Sequence, residues 1–171
     1  MPALTARKLL WNDRRLAVRL ADITGTESFQ GRPDAGCRLE QAVFQSLNVW
    51  RGLDPGRRRI YYWRERGGCG ADFILQEGSR IVPLELKRSS LVSPDNCKGP
   101  QAFTRSLPPH QDRIVRSVVL YHGSHPRPLG NNSVALAIGV LFGWGSERGA
   151  FFGEALGRPL LHTGSVHQQY D

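Results

Sequence analysis

Apolar residues recur at helical spacing most clearly over one stretch of the chain. Leu39, Val43, Leu47 and Trp50 fall at intervals of four, four and three, which is one face of a helix. Asp34 stands where an N-cap would, so the spacing predicts a helix from Asp34 to about Trp50. Upstream, Leu9, Leu10, Leu16, Val18 and Leu20 lie among arginines, and Asn12 or Asp13 is placed to cap a short helix to about Ala21. Between the two, Asp22 to Pro33 is polar and broken by Gly25, Gly31 and Pro33, which predicts a loop.

Beyond Asp54-Pro55-Gly56 the period changes from helical to alternating. Arg59 to Arg64 is aromatic and β-branched, and Ala71 to Gln76 and Ile81 to Lys87 are predicted as two more strands, joined by Glu77-Gly78-Ser79-Arg80. Alternation puts Ala71, Phe73 and Leu75 on one side of the first hairpin strand, and Asp72, Ile74 and Gln76 on the other. In the second, Val82, Leu84 and Leu86 oppose Glu85 and Lys87. Ser89 to Pro100 is predicted as a loop and Gln101 to Leu107 as a short helix. Ile114 to Tyr121 and Val134 to Phe142 are predicted as strands. The expected organisation is one domain over 1–142 and a glycine-rich tail, 143–171, without a clear pattern.

A chain of 171 residues can bury a core without disulfides. Its three cysteines form no paired motif and fit a reducing compartment. No apolar run is long enough for a membrane span, and Met1 to Leu10 lacks a signal-peptide core, so the expectation is a cytoplasmic protein with no membrane partner. The net charge of +8 and a pI near 10.1 rest mainly on arginine, whose planar fork suits phosphate oxygens.

The charged side of the hairpin carries the chemistry. If Glu77 pairs with Arg80, the register places Asp72 opposite Glu85, with Cβ atoms about 4.5–5.5 Å apart. Two carboxylates at that distance repel unless a cation neutralises them, and magnesium is commonly held by one or two carboxylates with water and phosphate. Lys87 shares the face of Glu85 and can meet a phosphate or an attacking water. Glu40 sits at the edge of the helical apolar stripe with Phe44 and Leu47 and is the third acid.

The order acid on a helix, acid on a strand, hairpin turn, then Glu-x-Lys resembles the PD-(D/E)xK nuclease superfamily. More narrowly, Gly36 to Val43, Tyr62-Trp63-Arg64, Ala71 to Leu75 and Pro83 to Ser89 resemble the C-terminal domain of unknown function that follows the ATPase module in prokaryotic AAA-type ATPases. The resemblance runs from about Lys8 to about Val140. It implies a restriction-endonuclease-like α/β sandwich with a central mixed sheet flanked by helices. It implies Glu40, Asp72 and Glu85 as ligands of Mg2+ or Mn2+, and Lys87 as the catalytic lysine beside Asp72 and Glu85. Two departures stand out. Gly70 occupies the position where that family usually carries a glutamate, and no phosphate-cradling Gly-x4-Gly-Lys motif occurs.

The expectation is therefore a metal-dependent nuclease acting on DNA, with Arg64, Arg66, Arg88 and Lys98 holding the backbone. The alternative is a non-catalytic nuclease-like module that binds DNA or a protein, in association with an AAA-type ATPase.

Overall fold

The computed structural model describes Leu10, 35–65 and 68–142. The predicted N-terminal helix, the loop after it, Arg66 and the glycine-rich tail lie outside the described residues, except for Leu10, which packs on the core.

The first described helix, α1, spans Ala35–Gly52. Val43, Leu47 and Trp50 point inward and are buried, as their spacing requires. Three strands follow: β1 (Arg58–Arg64), β2 (Gly70–Glu77) and β3 (Arg80–Lys87). The β2–β3 turn is Gly78-Ser79, and Gly78 takes a φ of +58°, where a side chain is disfavoured. The register runs from Glu77↔Arg80 to Phe73↔Leu84, the one the turn predicts.

A 3-10 turn over Pro94–Cys97 leads into α2, Lys98–Ser106. The segment expected to be a loop up to Pro100 is thus helical from Pro94, because Pro94 and Pro100 both fall in opening turns, where a missing N–H costs nothing. After a second 3-10 turn, Pro108–Arg113, come β4 (Ser117–Tyr121), β5 (Arg127–Gly130), β6 (Ser133–Ala137) and a short helix, α3 (Ile138–Phe142).

Two expectations change here. β5 was invisible to alternation because it is a short edge strand holding Pro128, tolerated where no neighbour needs the N–H. It turns into β6 through Asn131 and Asn132, with φ of 47° and 55°, the left-handed pair that a two-residue hairpin takes. The apolar run from Val134 also divides, with Val134–Ala137 in strand and Ile138–Phe142 in helix.

The strands form one mixed sheet in the order β1-β2-β3-β4-β6-β5. β3, β4 and β6 run parallel, and β1, β2 and β5 are antiparallel to their neighbours. Helices lie on both faces. α1 and α3 cover Phe73, Leu75, Val82, Leu84, Val118, Leu120 and Leu136. The opposite face holds Ala71, Ile74 and Ile81 under Phe103 of α2, and Val119, Tyr121 and Ala135 under Cys97. No described helix is long and apolar enough to cross a membrane.

Candidate functional site

A local irregularity in β2 aims the first acid. Tyr61 pairs with Ile74, but Trp63 pairs with Ala71, so Asp72 and Phe73 together face Tyr62. An extra residue of this kind bends a strand and re-aims a side chain. It also moves Ala71 to the face of Ile74 and Phe103, away from the Phe73 and Leu75 face that strict alternation assigned to it.

β2 and β3 part at the same point. Their ladder ends at Phe73↔Leu84, whereas β3 stays paired to β4 as far as Lys87↔Tyr121. Asp72 therefore does not continue the ladder opposite Glu85. Its Oδ2 accepts the Leu86 N–H at 2.9 Å, so a side-chain oxygen takes the place of a strand carbonyl.

Leu86 is the middle residue of the Glu-x-Lys segment, so Asp72, Glu85 and Lys87 meet at one strand end. Lys87 Nζ donates to Glu85 Oε1 at 2.8 Å. The side chains are 33% and 16% exposed, so the pair is sheltered yet open to water on the lysine side. Glu85 points to the face covered by α2. A β-carbon placed on Gly99 would lie 3.3 Å from Glu85 Oε2, so the first turn of α2 abuts the carboxylate. The positive end of a helix favours a negative charge there.

Beneath lies Cys97, fully buried. Burial raises its thiol pKa above the ordinary 9.0; a hydrogen bond with the Ser133 side chain opposes that, and the negative charge of Glu85 adds to it. Gly99 and Cys97 were not singled out from sequence. Their one signal was Cys97-Lys98-Gly99-Pro100, a helix opening with its smallest residue beside a proline.

Glu40 is placed differently. It belongs to α1, which packs on the Leu84 face of the sheet, whereas Glu85 and Lys87 point to the other. Its Oε1 is shielded from solvent. Among the described residues no three His, Cys, Asp or Glu side chains form a group able to hold a metal ion. The helix still reaches the same end of the sheet, since a β-carbon on Gly36 would be 4.0 Å from Arg88 Cδ.

The basic residues form a rim. Arg88 follows Lys87, Arg64 pairs with Gly70, and Lys98 adjoins Gly99; all three are exposed. Lys98 also forms an exposed ion pair with Asp95 at 3.1 Å. Arg66 lies outside the described residues. Gln101 lines a groove of ≈ 380 Å³ with Thr104, Gln111 and Ser117.

Residues 35–141 match the family described as a domain of unknown function, DUF4143. The chain is also similar to an uncharacterised protein of Mycobacterium tuberculosis and to one of Mycobacterium bovis. Each is 24% identical over 139 residues, covering 81% of this chain and 29% of the relative. The chain thus spans under a third of the length of the curated relatives it matches.

Proposed function

The chain belongs to the DUF4143 family, found in AAA-ATPase-associated proteins, and on that premise we propose that it is a PD-(D/E)xK-like nuclease hydrolysing DNA phosphodiester bonds with Mg2+ or Mn2+. The observation that carries this is the 2.9 Å hydrogen bond between Leu86 N–H and Asp72 Oδ2. It seats one carboxylate against the middle of the segment that bears Glu85 and Lys87.

Asp72 and Glu85 would supply carboxylate oxygens to a hard cation, and magnesium commonly uses one or two of these and keeps its waters. When bound, such an ion lowers the pKa of a coordinated water and neutralises charge on the phosphate. Lys87, steadied by Glu85, presents its ammonium to a phosphate oxygen or to the attacking water. Arg64, Arg88 and Lys98 hold the DNA backbone around that point, and the sequence assigns Arg66 the same task. Glu40, carried by α1 on the other face of the sheet, is the third acid of this reading.

A second reading has its own support. With no three-member metal group among the described residues, and Gly70 in place of an acid, the domain fits a non-catalytic DNA- or protein-binding module working with an AAA-type ATPase.

Calorimetry with magnesium and manganese on the wild type, Asp72→Asn and Glu40→Gln, with plasmid cleavage in parallel, separates the two. Metal binding and cleavage that both vanish in Asp72→Asn support the nuclease. Absence of binding at millimolar metal sinks it and leaves the binding module. Loss in Glu40→Gln places that acid in the site, and retention removes it.

A further inference from the structure

Among the described residues β1 is an edge strand, and it exposes what edge strands usually hide. Tyr61 is 48% and Tyr62 51% exposed, and Arg59 and Arg64 are exposed beside them. The other side chains of the strand have structural work. Arg58 donates to Glu77 Oε1 at 2.9 Å and to the Trp50 carbonyl at 3.0 Å. Ile60 packs on the core, and Trp63 meets Phe103 edge to face. Among the described residues nothing in the packing requires two adjacent half-bare tyrosines between two arginines.

Strand geometry decides what could cover them. Pairing with Gln76, Ile74 and Ala71 puts Arg59, Tyr61 and Trp63 on one face. Tyr62 therefore lies on the opposite face, with Ile60. Bases stacked on one another in a duplex cannot meet rings on both faces of the edge, and an unstacked single strand crossing it can. Arginines at both ends match its phosphates, and aromatic rings between basic groups are the chemistry that holds single strands without sequence preference.

We propose that the exposed edge of β1 is a binding platform for single-stranded nucleic acid, with Tyr61 and Tyr62 stacking on bases and Arg59 and Arg64 contacting the backbone. Tyr62 lies opposite Asp72 in the irregular part of the β1–β2 pairing, so a strand held on β1 runs towards the Glu85–Lys87 end. That last step rests on the nuclease reading, whereas the binding does not.

The test is fluorescence anisotropy in EDTA, with a labelled oligothymidine of about 16 nucleotides and the same oligomer as duplex. The wild type should prefer the single strand. Tyr61→Ala and Tyr62→Ala should each weaken binding about tenfold, while Tyr61→Phe keeps it. Arg59→Ala should weaken binding and flatten its salt dependence. Unfolding midpoints of the variants exclude misfolding. Equal or tighter duplex binding, or tyrosine variants that bind like the wild type, overturns the proposal. Single-strand binding in EDTA without cleavage in magnesium upholds the platform and sinks the nuclease; cleavage without single-strand preference does the reverse.

Discussion

Gly99 faces the carbonyl oxygen of Gly70 so closely that a β-carbon added to Gly99 would fall 1.7 Å from it. Gly70 is itself confined, since its own β-carbon would lie 2.9 Å from the Trp63 carbonyl oxygen. Two glycines thus let α2 settle on the start of β2, beside Glu85. A glutamate at position 70, the residue that the family resemblance leads one to expect, would have to displace backbone here.

Gly99→Ala should therefore destabilise the fold by at least the ~1–3 kcal/mol of an overpacked site. Gly139→Ala is the matched control: nothing lies within 4 Å of its β-carbon, it is helical, and it should be neutral or stabilising by up to about 1 kcal/mol. Urea unfolding midpoints check both. Equal midpoints would mean that α2 can shift freely.

Asp72 should show separable structural and charge roles. Asp72→Ala removes the acceptor of the half-buried Leu86 N–H and should cost about 1–3 kcal/mol. Asp72→Asn keeps an oxygen and should cost far less. If the asparagine variant is as unstable as the alanine one, the charge rather than the hydrogen bond holds the strand end.

Glu77 is buried and ion-paired to Arg58, whose guanidinium also lies 5.3 Å from the Trp50 ring centre. Glu77→Ala leaves that cation stranded. The cost should fall at the lower end of the ~3–5 kcal/mol for breaking a buried pair, because the Arg58 side chain stays 17% exposed. Replacing both residues with apolar ones of similar size should recover most of the loss. A thermal-unfolding cycle over the wild type, each single replacement and the double one measures it.

Cys97 should respond to alkaline pH. Burial holds its pKa up in the folded protein, so the unfolded chain loses the proton first, as the pH nears the ordinary 9.0. The folded state then binds more protons, and its stability, fully present below that value, falls as the pH rises further. Unfolding midpoints between pH 7 and 10 should slope down less in Cys97→Ala than in the wild type. A thiol reagent should label exposed Cys37 quickly and buried Cys97 only on unfolding.

Local pattern alone carried much of this fold. The spacing of Val43, Leu47 and Trp50 specified the buried face of α1, and Gly78 in a two-residue turn set the β2–β3 register. Both rest on interactions within a few residues, which a sequence displays directly. Alternation likewise put Glu85 and Lys87 on one face and Val82 and Leu84 on the other.

What depends on distant partners had no local signal. Alternation could not reveal the extra residue at Asp72, because it exists only in the mismatch between β1 and β2. β5 becomes a strand only when β6 offers its edge. The side of the sheet on which Glu40 rests, the approach of Gly99 to Gly70, and the meeting of Asp72 with Leu86 rather than Glu85 were decided by packing. Sequence determined which side chains are charged and which strands carry them; tertiary structure alone decided where β2 and β3 part, because the extra residue against β1 and the approach of Gly99 to Gly70 both act on the start of β2.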